Sequence, residues 1–199
     1  MSRYITLMIM VSLLIVACSS TEIKEVYDDE SGELIERYEI RKDNLKRHGF
    51  YERYREGKLI ESANYMEDTL DGVRKIFTTE GSTLIEEEYT MGAYDGTYRK
   101  YYDSGELMLE GPYIDNKMEG KWTKYYPSGK IMEVVEMHDN AENGPFIEYY
   151  ENGNLKAEGA YLDGDNEDGL LILYKEDGSI DRKMQCDKGI CTTISGSDS

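Results

Sequence analysis

A glycine recurs along this sequence at a nearly constant interval, and this interval limits the possible folds more than any other feature. It stands at six positions that are 23 to 25 residues apart: Gly49, Gly72, Gly96, Gly120, Gly144 and Gly169. A second glycine follows each of them by eight or nine residues, at Gly57, Gly81, Gly105, Gly129, Gly153 and Gly178. A fixed period of this length is typical of repeat proteins, in which each unit packs mainly on its neighbours.

Turn-forming residues divide each unit into two extended segments. The second glycine closes tight turns such as residues 126–129 (YPSG), where proline fixes a negative φ and glycine permits a positive one. Looser turns such as residues 115–120 (DNKMEG) join the units, and no segment after the N-terminal run shows a sustained apolar period of 3.6 residues. We therefore predict an all-β fold: an elongated, single-layer antiparallel sheet of about seven stacked β-hairpin repeats over residues 23–190, with a partial first unit at Gly32.

The repeated segment also resembles a known family. Residues 96–107 (GTYRKYYDSGEL) and 120–131 (GKWTKYYPSGKI) share glycine, an aromatic residue two places later, a Tyr-Tyr pair, and a second glycine followed by Lys-Leu or a similar pair. This pattern resembles the MORN repeat, in particular its bacterial variant, over about residues 23–190. Bacterial proteins built from that variant are often lipoproteins and are commonly labelled YwqK-family antitoxins. The resemblance implies an elongated, twisted antiparallel sheet of successive hairpins.

The first 17 residues have the pattern of an export signal. Arg3 and the terminal amine are positive, and residues 4–17 form an apolar run that is too short to span a bilayer of about 30 Å comfortably. Residues 15–18 (IVAC) resemble the bacterial lipobox, which implies cleavage after residue 17 and a lipid on Cys18. We expect residues 18–22 to be a lipid-anchored tether. The alternatives are an ordinary secretory peptide followed by a coincidental cysteine, or a free N-terminal helix.

The charge balance narrows the range of partners. The chain has 23 Lys and Arg residues against 41 Asp and Glu, a net charge of −18, so its surface repels phosphate backbones and acidic lipid head groups. We expect no nucleic-acid partner, and contact with a membrane only through the N-terminal lipid. By resemblance to lipoproteins, Ser19 implies the outer membrane of a Gram-negative cell envelope, whereas a Gram-positive host would hold the protein on the outer face of its cytoplasmic membrane.

Aromatic residues recur in fixed registers. One register lies five residues after the unit glycine, at Tyr54, Phe77, Tyr101, Tyr125, Tyr149 and Tyr174, and another lies two residues after it, at Tyr51, Tyr98, Trp122 and Phe146. We interpret both as ladders in which the rings of successive units stack, and an aromatic track for a peptide or glycan is the alternative. Tyr102, Tyr126 and Tyr150 occur only in the three central units. Each directly follows a tyrosine of the first register and is therefore predicted to point to the opposite face of the strand from it. With Trp122, they are the candidates for partner binding.

The sequence contains no recognisable catalytic constellation. His48 and His138 lie in turns between units and outside any metal-binding spacing, and no nucleophile elbow or phosphate loop is present. Residues 163–168 (DGDNED) resemble the start of a calcium loop, but Tyr174 stands where its last glutamate ligand belongs, so we expect an extended acidic turn. Residues 86–88 (EEE) are predicted to be a solvated strand face. We expect no metal, no cofactor and no enzymatic activity.

Two further cysteines lie near the end of the chain. Cys186 and Cys191 flank residues 187–190 (DKGI), a turn sequence, and Cys186 occupies the register of Tyr161 in an earlier unit. We predict that they form a disulfide, which restrains the last hairpin and persists outside the cytoplasm. Two free thiols are the alternative, and residues 191–199 are expected to be a flexible tail.

These features together favour a binding function. We expect a lipid-anchored envelope repeat protein that binds or scaffolds an envelope protein or peptide, whose identity the sequence does not give. The first alternative is an exported, toxin-neutralising protein, which is implied only by the family label. The second is an envelope carbohydrate-active enzyme, for which a single-layer sheet offers no obvious cleft.

Overall fold

The computed structural model describes residues 20–196, and in this range the chain forms eighteen β-strands and no helix. Fifteen strands have six to nine residues: β1 (Thr21–Tyr27), β2 (Leu34–Arg41), β3 (Arg47–Arg55), β4 (Lys58–Met66), β6 (Gly72–Phe77), β7 (Thr83–Thr90), β9 (Gly96–Tyr101), β10 (Leu107–Ile114), β12 (Gly120–Tyr125), β13 (Ile131–His138), β14 (Ala141–Tyr149), β15 (Leu155–Tyr161), β16 (Gly169–Tyr174), β17 (Ile180–Asp187) and β18 (Ile190–Gly196). Three two-residue strands lie at the turns between units: β5 (Thr69–Leu70), β8 (Ala93–Tyr94) and β11 (Lys117–Met118). Within these residues no helix is long and apolar enough to cross a membrane.

All eighteen strands belong to one antiparallel sheet. Each long strand pairs with the next long strand in the chain, so the sheet is a meander of hairpins. Among the described strands, β1 pairs only with β2 and β18 only with β17, which leaves the sheet open at both edges. The predicted all-β sheet of stacked antiparallel hairpins is therefore confirmed.

Both predicted ends of the repeat domain differ from those in the structure. β1 begins at Thr21, inside the segment that was expected to be a tether, and β18 occupies most of the segment that was expected to be a flexible tail. β18 pairs with β17 from Ile190 to Gly196, and its isoleucine and threonine residues favour extended structure. The prediction was wrong for residues 191–196 because this last strand has no unit glycine that would mark it. The predicted signal peptide and Cys18 lie outside the described residues.

Strand alternation gives the sheet two distinct faces. We call them the Trp122 face, which carries Tyr51, Trp122, Phe146 and Leu171, and the Tyr125 face, which carries Tyr54, Tyr125 and Tyr174. One row of neighbouring residues crosses the Trp122 face and supplies most of the core: Tyr98, Gly111, Trp122, Val135, Phe146, Gly159, Leu171 and Met184. In the described range, the most buried large side chains, Trp122 and Phe146, belong to this row.

The turns between units lie side by side at one end of the strands, and hydrogen bonds link each turn to the next. In the turn at Asn116, two successive residues have positive φ, 49° at Asp115 and 67° at Asn116. Asn116 then makes a reciprocal pair with the preceding unit: its backbone N–H donates to the Tyr94 carbonyl at 2.8 Å, and its side-chain oxygen accepts the Tyr94 N–H at 2.9 Å. Asn140 makes the same pair with Met118. The asparagine side chain therefore continues the ladder of backbone hydrogen bonds from one unit to the next.

Candidate functional site: the Trp122 face

Trp122, which was predicted to contact a partner, is part of the core. Its side chain lies over Gly111, where an added Cβ would be closer to the indole ring than 3.0 Å. The ring centroids of Tyr98 and Tyr113 lie 5.8 Å and 5.4 Å from that of Trp122. Because Trp122 is only 2% exposed, it stabilises the stacking of units and is not accessible to a partner.

The three tyrosines proposed for partner binding connect neighbouring units. Each is half-buried, and its hydroxyl donates a hydrogen bond to a backbone carbonyl in the next unit. The bonds are Tyr102 to Tyr125 at 2.7 Å, Tyr126 to Tyr149 at 2.8 Å and Tyr150 to Tyr174 at 2.8 Å. These contacts give the Tyr-Tyr pair a role in joining consecutive units, and partner binding by the three tyrosines stays a prediction. Tyr150 also lines a groove, which is described below.

The tyrosines five residues after the unit glycine do not form the predicted ring ladder. Among residues 20–196, the ring contacts join other registers. Three of the five tyrosines in this register instead donate to glutamates: Tyr54 to Glu52 at 2.8 Å, Tyr125 to Glu110 at 2.7 Å and Tyr174 to Glu158 at 2.6 Å. Burial and the Glu110 carboxylate raise the pKa of Tyr125 to about 12. The Tyr125 face is therefore organised by hydrogen bonds between phenols and carboxylates.

In the second unit, a chain of ion pairs lies on the Trp122 face where other units carry aromatic side chains. Arg74 donates to Glu61 at 2.7 Å and to Glu87 at 2.8 Å, and Arg53 contacts Glu61 at 2.6 Å. Glu61 and Glu87 are buried. The pKa of Glu61 is lowered by these two arginines, although its burial acts in the opposite direction. The prediction that residues 86–88 are a solvated face was therefore wrong for Glu87.

Each turn between units places one residue beside the aromatic and aliphatic side chains of the Trp122 face, which we call the aromatic row. This residue, which we call the cover residue, stands two positions before the unit glycine and pairs with the end of the preceding strand. The six cover residues are Arg47, Leu70, Tyr94, Met118, Glu142 and Glu167. The Tyr94 ring lies 4.4 Å from Tyr89 and 4.8 Å from Tyr113, between centroids. In the first four units, the cover residues are therefore groups that can pack on the row.

A groove opens on the Trp122 face in the last two units, where the cover residues are carboxylates. We call it the Phe146 groove; its volume is about 280 Å³, and Phe146, Tyr150, Ala157, Tyr161, Leu171 and Leu173 supply its rings and aliphatic surface. The rings of Phe146 and Tyr161 are stacked with centroids 4.3 Å apart. Glu148, Lys156, Glu167 and Asp181 also line it. The arrangement suits an apolar group that carries a positive charge.

Carboxylates surround Tyr161 from two sides. Glu133 and Glu142 line a smaller groove of about 130 Å³ beside Trp122. Burial, followed by the charge of Glu148, raises the pKa of Glu133, and burial with Glu133 and Asp165 raises that of Glu142. The pKa of Tyr161 is raised by burial and then by four carboxylates, those of Glu142, Glu133, Glu148 and Glu167. This part of the face is therefore a site of unbalanced negative charge.

The remaining predicted residues are found at the following places. Cys186 and Cys191 are directly paired in β17 and β18, and the structure joins their sulfur atoms in a disulfide. His138 is the last residue of β13 rather than a turn residue, with Nδ1 3.0 Å from Glu119. His48 lies in β3, with Nδ1 3.4 Å from Glu67. Residues 20–196 contain no group of three or more His, Cys, Asp or Glu side chains that could hold a metal, and the acidic residues 163–168 belong to the turn before β16.

These features define a repeat protein whose β-hairpin units share one sheet. Three consecutive segments, residues 94–115, 118–139 and 142–163, match the family described as the MORN repeat variant. Each segment begins at a cover residue and contains one strand–turn–strand unit. The predicted resemblance is thus found over the three central units, those with the most regular sequences.

Other known proteins add little. No curated protein matches the chain. A mutant of TarM from S. aureus, solved with fondaparinux, alpha-GlcNAc-glycerol and UDP, is 15% identical over 49% of this chain and 19% of that chain, with a TM-score of 0.34. The TcdB2-TccC3-TEV structure is 11% identical over 90% of this chain and 13% of that chain, with a TM-score of 0.26. The chain thus spans less than a fifth of either protein, and such low scores carry no functional information.

Proposed function

We propose that this chain is a repeat module of the bacterial cell envelope that is anchored through lipid on Cys18 and binds a partner protein without catalysing a reaction. The single layer of stacked hairpins supports this function most directly. Both faces of such a sheet remain accessible along many units, and repeat proteins commonly bind partners through extended surfaces of this kind. The match of three units to the MORN repeat variant is consistent with such a module.

The proposed location in the cell envelope depends on the sequence that precedes the sheet. The apolar run of residues 4–17, followed by Cys18 and Ser19, is the basis for an outer-membrane lipoprotein. Cys18→Ser should leave a soluble precursor that incorporates no labelled palmitate, whereas Cys186→Ser should still be lipidated. Membrane partition and normal cleavage of Cys18→Ser would contradict the lipid anchor but leave the binding function open.

The binding function can be tested by crosslinking in intact cells. A photo-crosslinking amino acid is placed at Lys124 on the Trp122 face or at Lys121 on the Tyr125 face, because both side chains are exposed and lie in the same strand. We expect a discrete crosslinked protein from one face and none from the other. If neither position gives a discrete product in cells that express the chain normally, the proposed function is wrong. An exported toxin as the captured protein would instead support the toxin-neutralising role.

A further inference from the structure

The first unit shows what a cation does on the Trp122 face. The cover residue Arg47 places its guanidinium carbon 4.3 Å from the ring centroid of Tyr65 and 5.9 Å from that of Tyr51. A guanidinium over an aromatic face is attracted by the ring quadrupole and also shields the ring from water. In this unit, the chain itself therefore supplies a cation for its aromatic row.

The same register carries the opposite charge at the Phe146 groove. Tyr161 corresponds to Tyr65 because each pairs with its unit glycine, and Glu142 and Glu167 stand at the register of Arg47. The rings of Phe146 and Tyr161 are therefore bordered by carboxylates where the first unit has a guanidinium. A positive group that entered from outside would restore the arrangement that Arg47 makes internally.

A small side chain makes room for such a group. Ala157 stands four residues before Tyr161, the residue that pairs with its unit glycine. At this register the other units carry Glu61, Ile85, Leu109, Glu133 and Arg182. Alanine thus leaves the floor of the groove lower than any of these residues would. The volume of about 280 Å³ lies just below the range of small-molecule pockets. One or two side chains of a peptide fit this space better than a drug-sized ligand.

The charges lining the two grooves are not balanced by the chain itself. Five carboxylates line them, against the two ammonium groups of Lys124 and Lys156. Glu148 pairs with Lys156 at 2.6 Å and Asp181 with Arg182 at 3.0 Å. The other three, Glu133, Glu142 and Glu167, form no ion pair with any residue in the range 20–196. The excess negative charge favours a cationic occupant and disfavours an acidic one.

We propose that the Phe146 groove binds a basic segment of a partner protein in which Lys or Arg stands next to an apolar residue. The apolar residue packs on Ala157, Leu171 and Leu173, and the cation lies by Tyr161 between Glu142 and Glu167. The inference rests on the proposed protein-binding function and specifies the chemistry of its partner.

Three capped hexapeptides serve as probes of the full-length chain: alternating leucine and lysine, alternating serine and lysine, and alternating leucine and glutamate. Binding is measured by fluorescence polarisation at low and at physiological salt. We expect only the leucine–lysine peptide to bind with a defined stoichiometry of one, and its affinity to fall as salt rises.

Two variants block the groove with residues that the fold already accepts at the same registers. Ala157→Leu introduces the residue found at Leu109, and Glu167→Arg introduces the cation found at Arg47. Each variant should lower the affinity for the leucine–lysine peptide by about tenfold or more. The matched controls are Ala160→Leu, on the opposite face of the same strand, and Glu176→Arg, in an exposed hairpin turn. Both controls should bind as the wild type does.

The outcomes separate the inference from the proposed function. If both lysine peptides bind equally and Ala157→Leu has no effect, the peptides are attracted by diffuse negative charge, and the proposal that the Phe146 groove is the binding site is wrong. If the wild type and Ala157→Leu crosslink a partner equally in cells, the Phe146 groove is not the binding site, while the proposed binding function stands. Without any crosslinked partner, the binding function itself fails.

Discussion

Replacing Gly111 with alanine is the most direct test of how the core is built. A Cβ at this position would lie closer than 3.0 Å to three atoms of the Trp122 side chain. Tyr98, Tyr113 and Val135 pack against that ring and restrict its movement, although a small groove lies beside it. Overpacking of a well-packed site costs about 1–3 kcal/mol, and we expect the upper part of this range. The φ of Gly111 is not in the left-handed region, so backbone strain does not contribute.

The assay is urea unfolding followed by far-UV circular dichroism. A loss of about 2–3 kcal/mol should lower the midpoint by roughly 1 M. Trp122→Leu serves as the second variant, because leucine occurs at this register in the last unit, as Leu171. A leucine eases the clash: a Cβ at Gly159, which corresponds to Gly111, would lie 3.2 Å from Leu171 Cδ1, and a small shift of that side chain relieves the contact. In that background, Gly111→Ala should cost much less than in the wild type, since alanine also restricts the unfolded chain more than glycine does. If Gly111→Ala costs the same in both backgrounds, Trp122 is not the reason for glycine at this position.

Three further predictions concern stability. Combined replacement of Tyr102, Tyr126 and Tyr150 by phenylalanine should lower the free energy of unfolding by about 1.5–4.5 kcal/mol, since each lost hydrogen bond is worth about 0.5–1.5 kcal/mol; Tyr113→Phe, whose hydroxyl makes no hydrogen bond within residues 20–196, should have little effect, and equal losses would refute the bridging role. Glu142→Gln should raise the melting temperature at pH 7: the pKa of Glu142 is raised in the folded state, so the wild type loses stability as pH rises above the unfolded value of about 4.3. This difference should vanish near pH 3, and its persistence there would exclude charge as the cause. Replacing Cys186 and Cys191 together by serine should cost about 2 kcal/mol, the loop-closure entropy of so short a loop; two labelled thiols in the non-reduced wild type would show that the bond is not formed.

The hairpin architecture could be predicted because it depends on local rules. The positive φ of the second glycine, for example 78° at Gly129, is needed within one turn and is visible in one turn sequence. The six-fold repetition of that signal gives the order of the strands. The pairing of Cys186 with Cys191 also follows from a single hairpin. Each of these features involves residues only a few positions apart.

The role of the aromatic residues could not be obtained in this way. Whether Trp122 is buried depends on Gly111 in the neighbouring strand, and whether Tyr126 is available depends on the Tyr149 carbonyl in the next unit. One signal was present but not used. Gly111 and Gly159 lie inside strands, outside the turn register, and a glycine at such a position often marks close approach by a neighbouring group. It would have indicated that Trp122 and Phe146 pack on the sheet.

The regular positions and the variable positions of the repeat have different roles, and this changes where function should be sought. Residues of the three central units, such as Trp122 and Tyr126, hold units together. The groove instead arises where one unit departs from the others, with Ala157 in place of a larger side chain and Glu167 in place of a covering one. Stacking requires the same contacts in every unit, whereas a specific partner requires a surface that occurs once. For the proposed groove, specificity therefore resides in the register of Ala157 and in the cover residues, and substitutions there should change the partner without unfolding the stack.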